Sequence, residues 1–72
     1  MSQINMKLMK QWVSKQGQSK AIMLLMDATG LGLVTIDKIM RNKYKSEISM
    51  LAKKAISEVM HIPEKELFRE KS

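Results

Sequence analysis

The sequence predicts an all-α protein of five helices in a single domain, residues 1–72. Three observations carry that expectation. Apolar residues recur at spacings of three and four along most of the chain, and no stretch shows convincing period-two alternation. Leu and Met are abundant (eight Met), beside only three aromatics, Trp12, Tyr44 and Phe68, a balance that suits helices better than strands. Helix breakers at Gly17, Thr29–Gly32, Asn42 and Pro63 leave helix-length segments between them.

Taken in order, Ile4, Leu8, Met9, Trp12 and Val13 form one apolar stripe of a first helix, with Lys7, Lys10, Gln11 and Lys15 off it, and Gly17 ends it. Ser19 is the expected cap of a second helix that carries Ile22, Leu25 and Met26 inward as far as Asp27 or Ala28. A short third helix is expected from Leu33 to about Arg41. Ile36, Ile39 and Met40 share its inner face, and Leu33, Val34, Asp37, Lys38 and Arg41 its outer one. Asn42 sits where a left-handed residue closes a helix. Ser46 is the expected cap of a fourth helix with Ile48, Leu51, Ala52, Ala55, Ile56 and Val59 inward. Pro63 suits the first turn of a last short helix, with Glu64 and Glu66 near its N-terminus and Leu67 and Phe68 as its apolar contact.

The composition excludes several kinds of chemistry. There is no cysteine for a disulfide or a thiolate site, and one histidine, His61, cannot make a zinc cluster. No nucleophile–base pair or carboxylate dyad stands in a recognisable frame, so neither catalysis nor a cofactor is expected. The longest apolar run, Ala21 to Met26, is far short of the roughly 20 residues that cross a bilayer. The N-terminus has no apolar signal segment, and the expected location is the cytoplasm, with no membrane partner.

Charge is the informative property. The net charge is +6, and all of the excess lies in residues 1–45, where eight Lys or Arg stand against two Asp. Residues 46–72 hold five of each sign. A general solubilising charge needs no such asymmetry, and an anionic partner explains it.

The stretch ATGLGLVTIDKIMRNKY, residues 28–44, narrows that partner. A dinucleotide loop requires glycine at its first, third and sixth positions after a strand; Gly30 and Gly32 fit, but Thr35 takes the sixth place and no strand is expected. A helix–turn–helix over about 19–42 fits better. The turn contains glycine, and the second helix combines an apolar inner stripe with an outer face ending in Lys38, Arg41, Lys43 and Lys45. The plainer alternative is a core helix with a solvated outer face, which leaves Leu33 and Val34 uncovered at its start.

The residues Gly30-Leu31-Gly32-Leu33-Val34-Thr35-Ile36-Asp37-Lys38-Ile39-Met40-Arg41-Asn42-Lys43 resemble the turn and recognition helix of the lambda Cro and repressor-like helix–turn–helix family, whose pattern runs G-V-S-x-x-T-I-S-R-I-E-R-G-K. Ile62-Pro63-Glu64-Lys65-Glu66-Leu67-Phe68 is similar to that family's last short helix. The likeness spans roughly residues 8–68. It implies a compact five-helix lambda repressor-like domain acting as a sequence-specific transcriptional regulator, a Cro-like repressor of a phage or other bacterial mobile element. Such a protein binds double-stranded DNA at a palindromic operator as a homodimer.

By the same resemblance, Leu33, Val34, Asp37 and Lys38 face the bases. Gln18, Ser19, Lys20, Thr35, Arg41, Lys43 and Lys45 lie near phosphates, joined by Tyr44 if it does not pack on the core. Leu67 and Phe68 are candidates for either a dimer contact or the chain's own core. The length leaves no room for a separate sensing domain, so no small-molecule ligand is expected. The alternative from another class is a small helical protein-interaction module, an antirepressor or adaptor, that uses Leu33, Val34 and the methionines without binding DNA.

Overall fold

A computed structural model describes residues 2–70 and contains the five expected helices: α1 (Met6–Gln16), α2 (Gln18–Thr29), α3 (Leu33–Met40), α4 (Met50–Met60) and α5 (Glu64–Leu67). Two three-residue strands, β1 (Ser2–Ile4) and β2 (Phe68–Glu70), pair antiparallel in the register Ser2↔Glu70, Gln3↔Arg69 and Ile4↔Phe68. No strand is expected from the sequence alone. Three residues are too few to show a period, and the pairing exists only because the helices bring the two ends of the chain together.

Each boundary has a local cause. The Asn5 side chain caps α1 by accepting from the N–H groups of Lys7 and Leu8 at 3.1 and 3.2 Å. Its own N–H donates to the Leu67 carbonyl at 2.6 Å, tying the start of α1 to α5. Gly17, at φ +89°, is the single joint between α1 and α2: its N–H donates to the Val13 carbonyl and its carbonyl accepts from Ala21. A side chain is strained at that φ, which is why glycine stands there. Gly17 therefore takes the capping place expected of Ser19, which lies inside the first turn of α2.

The fourth helix also starts later than expected. Ser49, not Ser46, caps it by accepting from the Ala52 N–H at 3.1 Å. Ile48 is buried from the extended segment before the helix. The inward line is then Ala52, Ile56 and Met60, and Leu51, expected inside, points to solvent with 82% of its surface exposed. Two helices close on non-glycine residues in the left-handed region, Asn42 (φ 59°) after α3 and His61 (φ 56°) after α4. Each carries the paired hydrogen bonds of a Schellman ending, Lys43 to Lys38 with Asn42 to Ile39, and Ile62 to Ser57 with His61 to Glu58. Pro63 precedes α5, and its carbonyl accepts from both Glu66 and Leu67.

All five helices contribute to one core. Met9, Leu25, Ile36, Ile39, Ile56 and Leu67 are fully buried in it, and Trp12 lies among them as its place on the α1 stripe predicts. Leu67 and Phe68 are 0% and 8% exposed, so of their two expected roles they fill the core and are not offered to a partner. No polar or charged side chain is buried among the described residues, which leaves the excess positive charge on the surface. Lys53 adds a contact between α4 and the C-terminal segment, its ammonium 5.9 Å from the centre of the Phe68 ring.

The Asn5 cap gives a direct test. Asn5→Ala should lower stability by about 1 kcal/mol, seen as a reduced urea midpoint, whereas Asn5→Asp keeps the acceptor and most of the stability. An equal loss for both variants would contradict the capping role.

Candidate nucleic-acid interface

The turn between α2 and α3 is built by three residues. Thr29 donates its hydroxyl back to the Leu25 carbonyl at 2.7 Å, and the same hydroxyl oxygen accepts from the Leu31 N–H at 3.2 Å. Gly30, at φ +73°, closes α2 with its N–H on the Met26 carbonyl. Gly32 is extended at φ −76°, ψ 167°, and its carbonyl starts α3 by accepting from Ile36. The result is a bend of 113° between the two helices, inside the range of helix–turn–helix units.

Packing then fixes which face of α3 looks outward. Ile36, Ile39 and Met40 are 0%, 2% and 7% exposed and anchor the helix. Leu33 and Val34 are 55% and 68% exposed, Lys38 is exposed, and Thr35 and Asp37 are half-buried. The Arg41 Nε lies 3.2 Å from the Asp37 Oδ1, one helical turn away. At this exposure such a pair is worth only about 0.3–0.5 kcal/mol, so either group is readily recruited by another partner. Lys43 and Lys45 follow on the exposed loop before α4, while the Tyr44 ring packs against the core. Asn42 ties this end of α3 to β1, its side-chain oxygen accepting from the Ile4 N–H at 3.4 Å.

The three residues expected at the start of α2 line two different grooves. Gln18 lines a 370 Å³ groove with Lys10 and Ser14 of α1 and with Asp37 and Arg41 at the α3 side. Ser19 and Lys20 line a different groove, of 760 Å³, on the outer side of α2 with Met23, Leu24 and Asp27. The first groove adds a residue that the sequence alone did not select. Lys10 stands on α1 as one of several lysines off the apolar stripe, and only the fold, which sets it and Arg41 on one groove, brings the two together.

Among the described residues there is no group of three or more His, Asp or Glu suited to a metal ion, and no single helix long and apolar enough to cross a membrane. Besides Leu33 and Val34, three other large apolar side chains are strongly exposed: Met23, Met50 and Leu51. Comparison with protein-family models, with characterised proteins and with solved structures finds no match for this chain.

The turn chemistry separates the two glycines. Neither would place an added Cβ within 4 Å of another atom, but only Gly30 has a positive φ. Gly30→Ala should cost about 1–2 kcal/mol of stability, and Gly32→Ala clearly less, by thermal or urea unfolding. A larger loss at Gly32 would contradict this account of the turn.

Proposed function

We propose that the protein is a sequence-specific DNA-binding regulator that inserts the outer face of α3 into the major groove. The observation that carries this reading is the exposed face of a short helix, anchored by Ile36, Ile39 and Met40 and set at 113° to α2, with cations continuing from it into the next loop. A groove-reading helix needs this division: a buried stripe to fix it, an open face for base edges and a flank for phosphates.

In this reading Lys38 bonds guanine O6 or N7, and Leu33 and Val34 meet thymine methyls. Asp37 holds Arg41, which, with Lys43 and Lys45, engages phosphate. Lys10 and Gln18 extend that contact along the groove they share with Arg41. The asymmetry of charge along the chain supports the same surface, because residues 1–45 supply all of these cations.

Size supports two copies on a palindromic site. Eight residues make α3 about 12 Å long, enough for one half-site. The longest dimension of the chain is 32 Å, short of the roughly 34 Å between adjacent major-groove half-sites. One copy therefore reads one half-site. The protein-interaction alternative draws on the same exposed Leu33 and Val34, together with Met50 and Leu51.

Binding to DNA fragments across a salt series separates the two readings. With six or more phosphate contacts, affinity should fall by about 10³ or more between 50 and 200 mM salt. No binding at 50 mM salt would sink the regulator reading. Sites selected from random DNA should then show Lys38→Ala relaxing the preference at one base pair per half-site. Lys43→Ala should weaken all sequences alike and flatten the salt slope by about one. Identical behaviour of the two variants would contradict the division between base and phosphate contacts.

A further inference from the structure

We infer that the outer face of α2 is a pairing surface for a second copy of this chain, with the two α2 helices antiparallel and crossing between Met23 and Leu24. The inference stands on the α2 face alone and does not rest on the DNA reading.

The core takes only one side of α2, through Ala21 and Leu25, both 0% exposed. The opposite side is an open groove whose middle is apolar and whose ends carry opposite charges. Met23, 69% exposed, stands at the centre beside Leu24. Lys20 lies on one side of that centre and Asp27 on the other, seven residues apart, which is two helical turns or about 10.5 Å. Neither has an ion-pair partner among the described residues.

This arrangement complements itself. A two-fold axis between Met23 and Leu24 puts Lys20 of each copy opposite Asp27 of the other and Met23 opposite Leu24. The interface is isologous and closed, so it stops at two copies.

The helix dipole adds an independent argument for the antiparallel sense. Lys20 sits in the first turn of α2 and Asp27 in the last, so each charge is of the unfavourable sign for its own end of the helix. Beside an antiparallel α2 both signs become favourable. Lys20 then neighbours the partner helix's C-terminal end, and Asp27 its N-terminal end. A solvated face gains nothing from that placement, and a parallel pair would set like charges side by side. Lys20 is thereby assigned to pairing rather than to phosphate, in keeping with its groove being separate from that of Gln18.

Sedimentation equilibrium without DNA, over a dilution series at low salt, tests the surface directly. The protein should show a monomer–dimer equilibrium. Lys20→Asp or Asp27→Lys alone should weaken it by at least about tenfold, through like-charge contact at both symmetric positions. The double variant carrying both reversals should recover most of the loss, and Met23→Asp should abolish pairing.

The chain has no cysteine, so Met23→Cys should oxidise to a covalent dimer faster than Met50→Cys, which is exposed but off the surface. A monomer throughout the series, reversals without effect, or equal cross-linking of the two cysteine variants would overturn the inference. No DNA is present, so these outcomes are independent of the DNA reading. Conversely, monomeric Met23→Asp should still bind a single half-site in a salt-sensitive way if that reading holds.

Discussion

Ala21 and Leu25, one turn apart on α2 and both fully buried, make the packing on which the other elements depend. Through that side α2 contacts α1, α3 and α4, so a single helix sets the place of three others. A chain of this size buries only about 60% of its unfolded surface, and it has no cysteine for a disulfide and, among its described residues, no metal ligand set with which to compensate. Its stability therefore rests on this close apolar contact. The same constraint leaves the opposite side of α2 uncovered and swings α3 outward at the Gly30 turn.

Much of this arrangement was legible in the sequence because local chemistry decides it. Gly30 and Gly32 mark the turn, Ile36, Ile39 and Met40 give the buried side of α3, and Asn42 takes the left-handed conformation its position suggested. The start of α4 was not legible. Ser46 and Ser49 are equally good caps by composition, and only the burial of Ile48 from an extended segment selects Ser49. Ala52 and Ile56 lie inward as expected, but that line continues to Met60 and leaves Leu51 on the solvent side. His61 closes α4 in a left-handed conformation that a glycine would have advertised.

The candidate site divides in the same way. The α3 face is contiguous in sequence, so its composition could be read directly. The shared groove of Lys10, Gln18 and Arg41 joins three helices and has no sequence signature. The charges of α2 were visible but ambiguous. Lys20 near a helix N-terminus suits a phosphate, and only its place in the groove with Met23 and Asp27 points to a protein surface.

On the proposed reading, the outer face of α3, with its flanking cations, is where this protein meets DNA. Backbone amide chemical shifts recorded while a mixed-sequence duplex is added at low salt test it most directly. Shifts should concentrate at Lys10, Gln18 and residues 33–45, with Met50, Leu51 and α5 unmoved. Changes centred on Met50 and Leu51, or none at any duplex concentration, would contradict it.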